Sequence, residues 1–78
     1  MSYEAYAAKK DFVSKTLSRC VAAMYPRVAC LEYHLHDGTD EVIIIRCVNG
    51  YTKRIEVTGM DLRQTTDAVL AEFDGEAA

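Results

Sequence analysis

The sequence predicts an α+β domain in the order α-β-β-β-α, a three-stranded antiparallel sheet with two helices packed on one face. Three observations predict it: an opening stretch with apolar residues at helical spacing, three β-rich segments parted by turn clusters, and a closing stretch at helical spacing again. The 78 residues leave room for one domain, 1–78, with a single modest core.

Ser2 is placed to cap a first helix over about 3–24, and Tyr25-Pro26 stops it, because proline disfavours helical geometry in the residue before it. At about 100° per residue, Tyr3, Tyr6, Val13, Leu17, Cys20, Val21 and Met24 share one stripe. Lys10 falls on the same stripe and is expected to snorkel. A first strand is expected over 28–36, where residues alternate up to His36. After the turn cluster Asp37-Gly38-Thr39-Asp40 comes a second strand, about 41–48, whose β-branched run Val42-Ile43-Ile44-Ile45 reads as covered on both sides. Asn49-Gly50 signals a two-residue type I′ hairpin into a third strand, about 51–57. Thr58-Gly59-Met60-Asp61 resembles a capping box with Asp61 at N3, opening a second helix over about 59–73 that packs Leu62, Thr66, Val69, Leu70 and Phe73. The tail 75–78 is expected to fray.

The two-residue hairpin fixes an expected register. One sheet face then carries Leu31, Tyr33, Leu35, Val42, Ile44, Ile55 and Val57 toward the helices, with Arg46 and Lys53 near the hairpin tip. The bare face carries Cys30, Glu32, His34, Ile43, Ile45, Cys47, Thr52, Arg54 and Glu56. Ile43 and Ile45 in its middle, flanked by charge, form an apolar centre with a polar rim, the anatomy of a binding surface. Phe12 points off the helical stripe beside Ala5, Ala8 and Ala23, which suits a helix–helix contact or a homodimer; the competing reading folds it back over the helix.

Charge divides the chain. The net charge is −3, which argues against coating nucleic acid by bulk attraction. Residues 1–36 hold five basic and three acidic side chains, whereas residues 55–78 hold one basic and six acidic. The acidic second helix, with Asp61, Asp67, Glu72 and Asp74, is a candidate for a basic groove on a partner. No stretch has the length and apolarity of a membrane span or a signal peptide, so the expected place is the cytoplasm, with Cys20, Cys30 and Cys47 as reduced thiols. His34 and His36 form at most a partial metal site. The sequence holds no phosphate loop, dinucleotide fingerprint or nucleophile elbow, so neither cofactor nor enzymatic activity is expected.

The α-β-β-β-α order resembles the double-stranded-RNA-binding domain over most of the chain. That family's basic cluster at the start of its second helix is here Met60-Asp61-Leu62-Arg63-Gln64, so RNA binding is not carried across. The stretch Tyr51-Thr52-Lys53-Arg54-Ile55-Glu56-Val57-Thr58-Gly59-Met60-Asp61-Leu62, continuing to Phe73, resembles small uncharacterised prophage proteins of gut bacteria, as does the opening Met1-Ser2-Tyr3-Glu4-Ala5-Tyr6. Proteins of that size and source include anti-CRISPR inhibitors, compact acidic folds that block a nuclease by binding it, and the class has no shared catalytic motif.

These observations lead to an expected non-enzymatic, phage-type protein that binds and inhibits a bacterial defence effector. The residues expected at the partner surface are Phe12, Ile43, Ile45, Arg54, Asp61, Asp67, Glu72 and Asp74. The alternatives are a nucleic-acid-binding regulator using Lys9, Lys10, Lys15 and Arg19, or a homodimeric phage accessory protein.

Overall fold

Helix formation at the N-terminus begins with Ser2, whose hydroxyl accepts a hydrogen bond from the Ala5 N–H at 3.1 Å. In the computed structural model, which describes residues 2–73, a 22-residue rod follows: α1 (Tyr3–Asp11), a π-helical segment (Phe12–Leu17) and α2 (Ser18–Met24). Tyr25 turns extended before Pro26, as the sequence predicts. Three strands come next, β1 (Val28–His36), β2 (Asp40–Cys47) and β3 (Thr52–Glu56), and then α3 (Leu62–Ala71). The sheet is antiparallel in the order β1-β2-β3. This is the predicted α+β class. The expected tail 75–78 and Asp74 lie outside the described residues.

The buried stripe of the rod differs from the expected one. Lys9, Val13, Leu17 and Val21 are buried at spacings of four, together with Ser18, whereas Tyr3 is 80% exposed and Cys20 and Met24 also face outward. In a regular α-helix, residues four apart drift by about 40° per step. The wider π turns lag behind that drift and hold all four on one line. A 100° periodicity therefore selects Lys10, while the structure buries Lys9.

The face assignment of β2 is also corrected. Tyr33 pairs with Ile43, Leu31 with Ile45, and then Ile43 with Ile55 and Ile45 with Lys53. Ile43 and Ile45, expected on the bare face, are 0% and 3% exposed and lie in the core with Val13, Leu17, Val21, Val57, Val69 and Phe73. The cause is loop length. The second hairpin is closed by a hydrogen bond from the Cys47 N–H to the Tyr51 carbonyl at 2.8 Å, with the Gly50 N–H returning to the Cys47 carbonyl at 3.0 Å. That loop has three residues, Val48-Asn49-Gly50. Only Gly50 has a positive φ, 90°, so the turn is not type I′, which needs positive φ at Asn49 as well. The first hairpin also has a three-residue loop between His36 and Asp40. Each odd loop moves β2 by one residue, and one residue exchanges its faces.

The second helix starts later than expected. Asp61 is its N-cap rather than N3: its carboxylate accepts from the Gln64 N–H at 2.7 Å, and the Asp61 N–H donates to Gln64 Oε1 at 3.0 Å. Thr65 and Val69 are its buried residues, while Leu62 is exposed. Tyr25 and Phe73 stack with ring centroids 4.3 Å apart, tying the end of the rod to the end of α3.

Candidate functional site

With both helices on one side, the other face of the sheet remains open. The register places Cys30, Glu32 and His34 of β1, Val42, Ile44 and Arg46 of β2, and Thr52, Arg54 and Glu56 of β3 on it. The apolar centre expected from Ile43 and Ile45 is thus supplied by Ile44 alone, half-buried between Glu32 and Arg54, whereas Val42, between His34 and Glu56, is covered completely.

The rim is partly organised. Arg46 binds the Glu32 carboxylate through Nε and through Nη2, the latter at 3.2 Å to Oε1. His34 Nε2 meets the same carboxylate at 3.0 Å. The hydrogen bonds from Arg46 and His34 hold the Glu32 carboxyl below its ordinary range, and Glu32 in turn raises Arg46. The rings of His34 and His36 stand 6.5 Å apart, and among the described residues no group of three metal-ligating side chains converges. The three cysteines are free thiols; Cys30 faces Arg46 across the ladder, and Cys47 faces Val28 on the helix side, so these two cysteines lie on opposite faces.

Other expected site residues have local employment. Phe12 is half-buried and packs against the core rather than standing free on the helix surface. Asp61 caps α3, and Glu72 pairs with Lys53 at 2.7 Å. Asp67 is exposed on α3, and Arg54 is exposed on the open face without an ionic partner among the described residues. Ile45 and Phe73 line a groove of about 210 Å³ at the hairpin end, with Tyr25, Cys47 and Tyr51.

The most deeply placed charges were not foreseen. Lys9 and Glu41 form an ion pair whose members are 6% and 3% exposed. Glu41 Oε1 also accepts from the Tyr33 hydroxyl at 2.7 Å, Oε2 accepts from the Gly59 N–H at 2.8 Å, and Lys9 Nζ donates to the Met60 carbonyl at 2.6 Å. Burial pushes the Glu41 carboxyl up, but Lys9, the Gly59 amide and Tyr33 together outweigh it and the net shift is downward. Burial, then the adjacent Glu41 carboxylate, raises the Tyr33 hydroxyl above its ordinary value. The cluster fastens the rod, the first hairpin and the β3–α3 loop together. Its sequence signal was the i, i+4 series from Lys9 and the position of Glu41 directly after a turn.

Comparison with known families, characterised proteins and solved structures returns no match to this chain.

Proposed function

We propose that this chain is a non-enzymatic binding protein that seats the open face of its sheet on a protein partner and blocks that partner's working surface. The observation that carries the reading is Ile44, an apolar centre on a helix-free face, ringed by the Glu32–Arg46 pair, His34, Arg54 and Glu56. An apolar anchor inside a charged rim supplies a desolvated contact, while the rim sets orientation and encounter rate. The resemblance to small prophage proteins directs the choice of partner to a bacterial defence nuclease, which must keep a basic channel for its guide or target. A domain of net charge −3 suits such a channel.

A nucleic-acid-binding role for the first helix is less well supported. Lys9 is buried against Glu41, and Lys15 is engaged by Asp11 at 2.8 Å, so two of the four cations on that surface already have carboxylate partners.

The test is nuclease or interference activity of several defence systems with excess wild-type protein or Ile44→Asp. Inhibition by the wild type and its loss in Ile44→Asp, with the fold intact by circular dichroism, supports the reading. If every system cleaves normally while the protein binds duplex DNA or RNA with a steep salt slope, the regulator reading replaces it.

A further inference from the structure

The two edges of the sheet are treated differently. On the rod side, the Leu31 N–H of β1 donates to the Ser18 hydroxyl at 3.0 Å, so α2 caps that edge at Leu31. On the other side lies β3. Its ladder bonds to β2 include Cys47 N–H to the Tyr51 carbonyl and Val57 N–H to the Glu41 carbonyl, so the odd-numbered residues face β2. By the alternation of an antiparallel ladder, the amides and carbonyls of Thr52, Arg54 and Glu56 point away from the sheet. Among the described residues nothing bonds to them, and all three residues are exposed. An open edge of this kind is a template for another strand.

We infer that β3 pairs antiparallel with β3 of a second copy, joining two molecules into one six-stranded sheet about a two-fold axis at Ile55. The side chains choose both the occupant and the register. With Ile55 opposite Ile55 of the second copy, Arg54 stands opposite Glu56 of the second copy, and Glu56 opposite its Arg54. Each of those residue pairs exchanges two main-chain hydrogen bonds. The opposite charges lie side by side on the open face, and the half-buried Ile55 side chains meet on the helix face. Sliding one way opposes Arg54 to Arg54, and sliding the other way opposes Glu56 to Glu56; both are penalised. Within one copy neither charge has an ionic partner among the described residues: Glu56 meets only the Thr58 hydroxyl, at 3.5 Å. Lys53, whose bulk and charge would blunt the edge, is drawn toward α3 by Glu72. The inference is independent of the proposed function; it would set two Ile44 centres on one continuous surface.

The experiment is sedimentation equilibrium of the full chain across a concentration series, with three variants. A dimer is expected. Arg54→Glu and Glu56→Arg should each weaken it by roughly tenfold or more, and the double reversal should restore it, because the opposite charges then face each other again. Hydrogen exchange on the wild type gives a readout free of any folding defect: the Arg54 and Glu56 amides should gain protection as concentration rises. A monomer up to about 1 mM, a dimer indifferent to the single reversals, or a double reversal no better than the singles overturns the inference.

Discussion

At the scale of single residues, the decisive contact is the one between Lys9 and Glu41. Removing one member of a buried pair leaves the other charged without compensation, which costs about 3–5 kcal/mol. A domain of this size holds only about 5–15 kcal/mol in total. Glu41→Gln is therefore expected to lower stability by about 3 kcal/mol or more in urea denaturation, whereas replacing both members by apolar residues of similar volume should cost much less. The acid profile follows from the sign of the shift. The Glu41 carboxyl titrates lower in the folded protein than in the unfolded chain, so its stabilisation is complete above the unfolded value and is lost as pH falls through the lower folded value. Denaturation midpoints measured from neutral to acid pH should fall across that window in the wild type and fall less in Glu41→Gln. Glu32 shifts the same way but sits in solvent, so Glu32→Gln should change the profile little. The i, i+4 series from Lys9 was visible in the sequence, but a 100° period points to Lys10 instead and nothing marks the π segment that brings Lys9 inward.

At the scale of elements, the strands and helices were legible and the register was not. Val42-Ile43-Ile44-Ile45 is apolar at four successive positions, so β2 offers no alternation to say which side faces in. The decision passed to the turns. Asn49-Gly50 occupies the last two positions of a three-residue loop instead of forming a two-residue one. The register makes unequal demands on neighbouring residues. Ile43→Ala should cost about 2–5 kcal/mol, as core truncations do, and Ile44→Ala about 1 kcal/mol or less; thermal and urea unfolding would show a reversed order if the sequence-derived register were the true one. The turn can be tested in the same way. A Cβ at Gly50 meets nothing within 4 Å, so only its φ of 90° opposes substitution. Gly50→Val is expected to lose about 1–2 kcal/mol. Asn49→Ala should lose about 1 kcal/mol or less, since Asn49 gives up only its side-chain hydrogen bond from the Tyr51 N–H.

At the scale of the whole molecule, the fold class was legible because it needs only the order and type of elements. The open face was legible in kind and misassigned in residues, because a face is a matter of parity. The open side does carry an apolar centre, Ile44, inside a rim of charged residues, while Val42 on the same face is fully covered. Two contacts bridge distant parts of the chain: the Lys9–Glu41 cluster, which reaches Gly59 and Met60, and the Tyr25–Phe73 stack. They couple the rod, the sheet and the α3 end, so the domain should unfold as one unit. Calorimetry is expected to give equal calorimetric and van't Hoff enthalpies; an earlier separate transition for α3 would contradict that coupling. Among the described residues, no helix is long and apolar enough to cross a membrane.

The π segment has a consequence for the permitted length of the chain. Lys9 and Val21 are twelve positions apart, which in a straight α-helix would leave them about 120° out of line; eleven positions would leave them about 20° apart. The rod has in effect absorbed one supernumerary residue. Deleting Thr16, which is exposed and makes no side-chain hydrogen bond among the described residues, should let residues on both sides keep their seats on the sheet while the helix becomes α throughout. Adding one more residue there would instead swing Ser18 and Val21 by about 100°, off the sheet. For this segment the shorter gene is the safer one.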